Sequence, residues 1–122
     1  MRVLVVDDYA TMRRIIRNLL MQIGVTEVEE ASDGITALQR LREKKYNLVI
    51  SGENMEPMTG LQLLKEIRND SKLQSTLFIM ITTESSTENV IAAKQAGVSN
   101  CLMKPFNAET LKKKIESVWG PI

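Results

Sequence analysis

Histidine is absent from this sequence of 122 residues, and cysteine occurs only once, as Cys101. Without imidazole, the chain has no zinc site that uses histidine and no catalytic triad of the Ser-His-Asp kind. A single cysteine also excludes an intramolecular disulfide. Any metal that the chain binds is therefore expected to have oxygen ligands.

A strong net charge and long apolar runs are missing as well. The 16 Lys+Arg and 15 Asp+Glu residues give a formal net charge of +1, so no overall field attracts nucleic acid or an anionic membrane. The apolar run in the opening MRVLVVDD is too short for a signal peptide, and no run approaches a membrane span. We therefore expect a cytoplasmic protein without nucleic-acid or membrane partners, folded as one domain over residues 1–122.

Two alternating periodicities are present along the whole chain. Short apolar runs typical of parallel strands alternate with apolar residues at helical spacing, such as Leu61, Leu64 and Ile67. Five βα units joined by right-handed crossovers make an α/β fold. The architecture expected is a flavodoxin-like doubly wound (βα)5 sandwich, with a five-stranded parallel sheet in the order 2-1-3-4-5 and helices on both faces. The predicted strands are residues 3–6, 28–31, 47–50, 77–81 and 99–103.

Polar residues and glycines mark the ends of the predicted helices. Asp33 and Asn107 stand in N-cap positions, and Ser85 and Glu88 have the spacing of a capping box. A glycine that directly follows a helix is typical of a left-handed C-cap. The glycines placed in this way are Gly24, Gly97 and Gly120.

The carboxyl ends of the predicted strands carry the candidate functional residues. In doubly wound folds the functional crevice lies at this edge of the sheet, beside the switch in strand order between the first and third strands. Adjacent carboxylates such as Asp7 and Asp8 repel each other, and Mg²⁺ with Lys104 as a fixed counter-charge relieves the repulsion. The alternative is that the two aspartates only cap the first helix and that Lys104 is solvated. The residues at this edge are Asp7, Asp8, Ser51, Gly52, Thr82, Thr83 and Lys104.

Four segments of the chain share one family resemblance. They are VLVVDDYATMRRIIRNLL, NMEPMTGLQLLKEIR, MITTES and NVIAAKQAGVSNCLMKPF. With the spacings between them, they resemble the receiver domain of two-component response regulators, of the single-domain, chemotaxis type (CheY-like). The resemblance covers residues 2 to 119. It implies a single receiver domain without an output domain, which acts in phosphorelay signal transduction by protein docking and is not an enzyme.

The resemblance also implies roles for the residues at the strand ends. Asp7 and Asp8 would hold Mg²⁺, with the carbonyl of Asn54 as a further ligand. Thr82 would be the hydroxyl that senses the phosphoryl group, and Lys104 would pair with that group.

Position 52 departs from the family pattern. Receivers have there the aspartate that takes a phosphoryl group from a kinase histidine, whereas this chain has Gly52. No nucleophile remains at this position, and with one carboxylate fewer the binding of Mg²⁺ is expected to be weak. Glu53 is directed away from the crevice by strand alternation, yet it is long enough to reach back toward Lys104 and imitate the charged state. Ser51 is expected to be buried.

Cys101 is a second departure from the pattern. It stands on the fifth strand, three positions before Lys104, where CheY-like receivers have an aromatic residue that reports the movement of the sensing threonine. Cysteine is small enough to fill the inward position without reporting anything, so we expect plain core packing. A redox-sensing thiol is the alternative, but a buried apolar thiol keeps a high pKa.

Contacts with partner proteins are implied on the surface formed by the fourth helix, fifth strand and fifth helix. The partner expected from the resemblance is a histidine kinase or a downstream target, and the chain itself is expected to be a monomer or a weak dimer. The candidate contact residues are Lys94, Asn100, Lys112 and Trp119.

Two functional hypotheses remain open at this point. In the first, the chain is a pseudo-receiver that works without phosphorylation. In the second, it is an ordinary chemotaxis-type receiver whose native form has aspartate at position 52 and which is seen here as a variant. The sequence alone does not separate them.

Overall fold

A computed structural model of the chain describes residues 1–83 and 87–122. Strands and helices alternate throughout these residues. Their bounds are β1 (Arg2–Val6), α1 (Ala10–Gln22), β2 (Glu27–Ala31), α2 (Gly34–Glu43), β3 (Leu48–Gly52), α3 (Gly60–Asn69), β4 (Leu77–Thr82), α4 (Thr87–Gln95), β5 (Asn100–Met103) and α5 (Ala108–Val118).

The strands form one parallel sheet in the order β2-β1-β3-β4-β5, which confirms the predicted flavodoxin-like arrangement. All five predicted strands exist, with ends shifted by one or two residues. The largest shift is in β3, which continues beyond Ile50 to Gly52, where Gly52 pairs with Ile81 of β4. Position 52 is therefore part of the sheet and its backbone is fixed by the neighbouring strand.

Two apolar cores cover the two faces of the sheet. Because side chains alternate along a strand, Val3 and Val5 point into one core while Leu4 and Val6 point into the other. The first core contains the apolar faces of α1 and α5, and the second contains those of α2, α3 and α4. Helices therefore cover both faces, and every helix in the described part of the chain is too short to cross a membrane.

The helix ends follow the predicted signals where these lie in the described residues. Asp33 and Asn107 accept hydrogen bonds from backbone N–H groups, at 2.7 Å from Thr36 and 2.9 Å from Thr110. The capping box predicted from Ser85 lies outside the described residues. A capping box that the sequence analysis did not name joins Thr59 to Gln62 at the start of α3. Positive φ angles of 91°, 92° and 119° occur at the three glycines predicted to end helices, Gly24, Gly97 and Gly120.

Candidate functional site

The carboxyl ends of β1, β3, β4 and β5 lie at one edge of the sheet, where Asp7 is the central acidic group. Its side chain is 4% exposed, and Oδ1 accepts a hydrogen bond of 2.9 Å from the backbone N–H of Tyr9. Its backbone is also fixed, because the N–H donates to Ala31 and the carbonyl accepts from Arg13 at 2.6 Å. Asp8, by contrast, is exposed. The two adjacent carboxylates therefore have different surroundings.

The N-cap of α1 is Tyr9, whose own side chain makes no capping hydrogen bond. The N–H of Tyr9 instead donates to Asp7 Oδ1, so Asp7 contributes to the start of the helix. The capping alternative therefore stays a prediction beside the metal-binding one.

The space beside Gly52 is occupied by Asp7. A Cβ atom built on Gly52 would lie 2.7 Å from Asp7 Oδ2 and 3.4 Å from Asp7 Cγ. Gly52 is itself buried, and its carbonyl accepts a hydrogen bond of 2.9 Å from the buried hydroxyl of Ser51, as expected from the alternation of the strand. Any side chain at position 52 would therefore begin in close contact with the Asp7 carboxylate.

The electrostatic environment disfavours the charged form of Asp7. Burial raises the pKa of its carboxyl above 3.8, the N–H of Tyr9 lowers it, the charge of Asp8 raises it, and the ammonium group of Lys104 lowers it. The net direction is upward, so Lys104 compensates only part of the cost of burying this carboxylate. A cation or a proton near Asp7 would therefore be stabilised.

Thr82, at the end of β4, offers a buried hydroxyl. The residue is 1% exposed, and within the described residues its Oγ1 has no hydrogen-bond partner. Its carbonyl accepts a bond of 2.8 Å from the backbone N–H of Lys104, which ties the ends of β4 and β5 together. An unsatisfied buried hydroxyl is costly, and an oxygen-rich ligand at this edge would remove the cost.

The oxygen donors at this edge are too few for a tight Mg²⁺ site. Two carboxylates are present, one buried and one exposed, and Asn54 lies in an exposed loop. No group of three Asp, Glu, Cys or His side chains suited to a metal occurs within residues 1–83 and 87–122. Because Mg²⁺ requires near-octahedral oxygen ligation, these residues do not fit a tightly held ion.

Glu53 turns toward α4. Its Oε1 accepts a hydrogen bond of 3.1 Å from Nδ2 of Asn89, on the first turns of that helix. Its backbone carbonyl accepts from the N–H of Gly60 at 3.0 Å, at the start of α3. The residue therefore links the end of β3 to two helices, an arrangement that the sequence analysis did not anticipate.

Cys101, on β5, packs against one of the two apolar cores. It is half-buried and contacts the core formed with α2, α3 and α4. Burial raises the pKa of its thiol, while Lys94 and Lys114 lower it and Glu53 raises it. The net shift of the thiol pKa is upward, and a thiol with a raised pKa is weakly reactive.

The four residues predicted to meet partners have unequal surroundings. Lys94 is exposed on α4, and Lys112 is half-buried on α5. Asn100 is engaged within the protein, since its Nδ2 donates to Ser117 at 2.8 Å and its Oδ1 accepts from the N–H of Cys101. Trp119 is 45% exposed and lines a cavity with the connections that precede β3 and β4.

Comparison with known proteins finds receiver domains and chemotaxis proteins similar to this chain. Residues 3–116 match the family described as the response regulator receiver domain. The chemotaxis protein CheY-3 of Vibrio cholerae is 44% identical over 119 residues, which cover 98% of this chain and 92% of that protein. The chemotaxis protein CheY of Pseudomonas aeruginosa is also 44% identical, with coverage of 98% and 96%. Among solved structures, the chemotaxis response regulator CheY4 of Vibrio cholerae has a TM-score of 0.87 at 38% identity, covering 96% of this chain and 97% of that one.

Proposed function

Because the chain belongs to the response regulator receiver domain family, we propose that it is a receiver of the chemotaxis type that signals without accepting phosphate at position 52. Its output is a docking event with another protein, either a histidine kinase or a downstream target. The proposed role is signalling rather than catalysis, and the expected location is the cytoplasm.

One observation carries this proposal: the acceptor position is a buried glycine, and the adjoining space holds Asp7 Oδ2. A receiver takes up phosphate through a nucleophilic carboxylate at the end of the third strand, and Gly52 has no side chain to attack with. Asp7 does not replace it, because its Oδ1 is held by the N–H of Tyr9 and the residue follows β1 rather than ending β3. Thr82 has a hydroxyl but no histidine base to activate it.

Mg²⁺ binding by this chain is proposed to be weak. Asp7, Asp8 and the carbonyl of Asn54 are the remaining ligands of the family set. A metal ion there would neutralise part of the repulsion between the two carboxylates. With only two carboxylates the ion would keep most of its water, and it would exchange readily.

The second hypothesis, a phosphoaccepting receiver with aspartate at position 52 in its native form, is supported by a separate observation. Asp7, Asp8, Thr82 and Lys104 are all still at the carboxyl edge, and Thr82 Oγ1 lacks a partner in the described residues. A Cβ at position 52 would approach the end of the Asp7 side chain closely, whereas its nearest backbone neighbour, the carbonyl oxygen of Val6, is at 3.8 Å. The remaining site is thus compatible with an aspartate at position 52.

The docking surface proposed is the one formed by α4, β5 and α5. Lys94 and Lys112 supply positive charge there, while Asn100 and Trp119 supply polar and aromatic contacts. Aromatic residues are frequent among the few that dominate binding energy. Capture from the native cytosol with the wild type and with Gly52→Asp would identify the partner and show whether an acceptor carboxylate changes it.

Phosphotransfer from a small donor tests the proposal directly. The wild-type chain is incubated with acetyl phosphate and Mg²⁺, and its intact mass is measured. We expect no added phosphoryl group. Addition of one phosphoryl group to the wild type would overturn the proposal, and its loss in Glu53→Ala would then identify Glu53 as the acceptor.

A further inference from the structure

A cavity of about 980 Å³ lies at the amino ends of β3 and β4, at the opposite edge of the sheet from Asp7 and Gly52. Its walls come from the connection between α2 and β3, the connection between α3 and β4, and Trp119 just after α5. Five residues of strand separate the two edges by about 15 Å, at about 3.3 Å per residue. A concave space of this size suits a small molecule.

The cavity has an excess of positive charge. Four of its lining residues are cationic and one is acidic, although the whole chain has a formal net charge of only +1. Arg42 pairs with Asp70 at 3.6 Å, and Lys44 pairs with Glu29 at 2.6 Å. Among the ion pairs recorded for the described residues, none involves the other two cations of the lining, Lys45 and Lys72. Two ammonium groups are therefore available to an anion.

Trp119 provides a flat apolar surface in the same cavity. Its side chain is 45% exposed, and its backbone N–H is held by the carbonyl of Ile115 at 2.8 Å. The indole ring is therefore attached to a fixed backbone and is open to a ligand. Aromatic side chains stack on nucleobases and other planar rings, whatever the ring's substituents.

The walls of the cavity are tied together before any ligand binds. The guanidinium group of Arg68 donates to the carbonyls of Gln74 and Thr76, at 3.1 Å and 2.7 Å. The N–H of Leu77 donates to the carbonyl of Asn47 at 3.2 Å, which joins the two connections across the strands. A preformed site avoids the cost of ordering its walls when a ligand binds.

We propose that this cavity binds a small anion that carries a planar ring, of the nucleoside phosphate class. The phosphate groups would interact with Lys45 and Lys72, and the ring would stack on Trp119. An inorganic anion alone would leave the indole unused, and a neutral aromatic compound would leave the two ammonium groups unused. An acidic segment of a partner protein without an aromatic residue would likewise leave the indole unused. This binding site lies at the edge of the sheet opposite the carboxylates, and it shares Trp119 with the proposed docking surface.

Binding of ADP in buffer containing EDTA tests the proposal. Divalent cations are left out so that a metal-nucleotide complex does not bind at Asp7 and Asp8. Trp119 is the only tryptophan in the chain, so its fluorescence reports directly on this cavity. We expect saturable quenching that weakens with added salt. Adenosine and inorganic phosphate, tested separately, should each bind more weakly than ADP.

Substitutions of the two lysines separate a specific site from nonspecific attraction. Lys45→Gln and Lys72→Gln should each weaken ADP binding, by up to about fivefold, the upper end of the range for an exposed charge contact. Lys65→Gln is the matched control, because Lys65 is exposed on α3 and does not line the cavity. Trp119→Ala, followed by calorimetry, should weaken binding by about tenfold through loss of stacking.

Three results would overturn the proposal. The first is that the quenching of Trp119 does not saturate by about 1 mM ADP. A dissociation constant of about 1 mM corresponds to a binding free energy of only about 4 kcal/mol. The second is equal ADP affinity in Lys45→Gln, Lys72→Gln and Lys65→Gln. The third is saturation of the Trp119 signal by a polyglutamate peptide at lower concentration than by ADP, which would assign the cavity to an acidic protein segment instead.

Discussion

Asp7 occupies the place where a side chain on Gly52 would begin, with its Oδ2 atom 2.7 Å from the position of a Cβ there. The two residues lie side by side at this edge, since Val6, the last residue of β1, pairs with Ser51, and Asp7 and Gly52 each follow by one residue. A Cβ at position 52 and the Asp7 carboxylate would therefore compete for the same space. The charge of the candidate site now depends on Asp7, Asp8 and Lys104.

Restoring a carboxylate at position 52 is expected to restore metal binding. Gly52→Asp adds a third carboxylate to Asp7 and Asp8, so its affinity for Mg²⁺, measured by calorimetry, should exceed that of the wild type by about tenfold or more. The variant should also gain one phosphoryl group from acetyl phosphate, as read from its intact mass.

Gly52→Ala is the control for this substitution. Its Cβ displaces the Asp7 carboxylate to the same extent but supplies neither a metal ligand nor a nucleophile. It should bind Mg²⁺ as weakly as the wild type and remain unphosphorylated. Equal Mg²⁺ affinities for Gly52→Asp and Gly52→Ala would contradict the assignment of position 52 as the missing ligand.

The buried carboxyl of Asp7 predicts a definite pH dependence of stability. Its pKa is raised above 3.8, chiefly by burial, so the folded protein holds this proton more tightly than the unfolded chain does. The resulting stabilisation is fully present below pH 3.8 and is lost as the pH rises through the raised pKa. Asp7→Asn removes this dependence. Urea unfolding in EDTA should show the variant to be more stable than the wild type at pH 7, and equally stable below pH 3.8.

The pKa of Asp33 is shifted in the direction opposite to that of Asp7. Its pKa is lowered, first by the hydrogen bond from the N–H of Thr36, so its stabilisation is present above pH 3.8 and is lost as the pH falls through the lowered pKa. Asp33→Asn should therefore give no gain in stability at pH 7. A loss of stability in Asp7→Asn at pH 7 would mean that the electrostatic attraction of Lys104 outweighs the cost of burial.

Much of the fold could be predicted from the sequence, because the patterns that indicate strands and helix ends are local. The alternation of short apolar runs with helical spacing gave all five strands, and Asp33 and Asn107 cap the helices that they were predicted to cap. The direction of the Glu53 side chain could not be predicted from the sequence, because it depends on the residue at which β3 ends. With β3 continuing to Gly52, Glu53 is the first residue outside the sheet, and its Oε1 bonds to Asn89 of α4.

The position of the Asp7 carboxylate could not be predicted either, because it depends on the absence of a group on another strand.

The basic cavity could not be predicted from the sequence for a related reason. Lys45, Lys72 and Trp119 are far apart in the sequence, and only the parallel sheet brings their connections to one edge. The capping box of Thr59 and Gln62, by contrast, has a readable spacing and could have been named from the sequence.

The hydrogen bond between Glu53 and Asn89 should be measurable as a coupling energy. In a double-mutant cycle of Glu53→Ala and Asn89→Ala, followed by urea unfolding, we expect about 0.5 kcal/mol, as for an exposed polar pair. The same cycle with Glu56→Ala in place of Glu53→Ala is the control, since Glu56 is an exposed residue of the same loop. A coupling no larger than in this control would show that the contact does not connect β3 to α4.

The thiol of Cys101 should react slowly. Burial raises its pKa, so the reactive thiolate is scarce at neutral pH, and alkylation by iodoacetamide should be slower than that of N-acetylcysteine. Lys94 opposes this shift, so Lys94→Ala should slow the reaction further, whereas Lys65→Ala should not change it. Alkylation of the native protein as fast as that of N-acetylcysteine would favour the redox-sensing alternative instead.

The first residues of α2 and α3 provide a matched pair of glycines for a test of packing at the site. A Cβ on Gly60 would collide with the backbone carbonyl oxygen of Gly52, which the sheet holds in place. A Cβ on Gly34 would approach the side chain of Met58, at 2.7 Å from Sδ and 2.9 Å from Cβ and Cγ, and its three nearest neighbours include no backbone atom. Gly60→Ala should therefore lower the free energy of unfolding by about 2 kcal/mol or more, and Gly34→Ala by clearly less. Since the Gly60 contact fixes the end of β3, Gly60→Ala should also expose the Gly52 region to faster amide exchange. If the two variants were equally stable, the close approach of α3 to the end of β3 would have no energetic importance, and the geometry proposed for this edge would lose its main support.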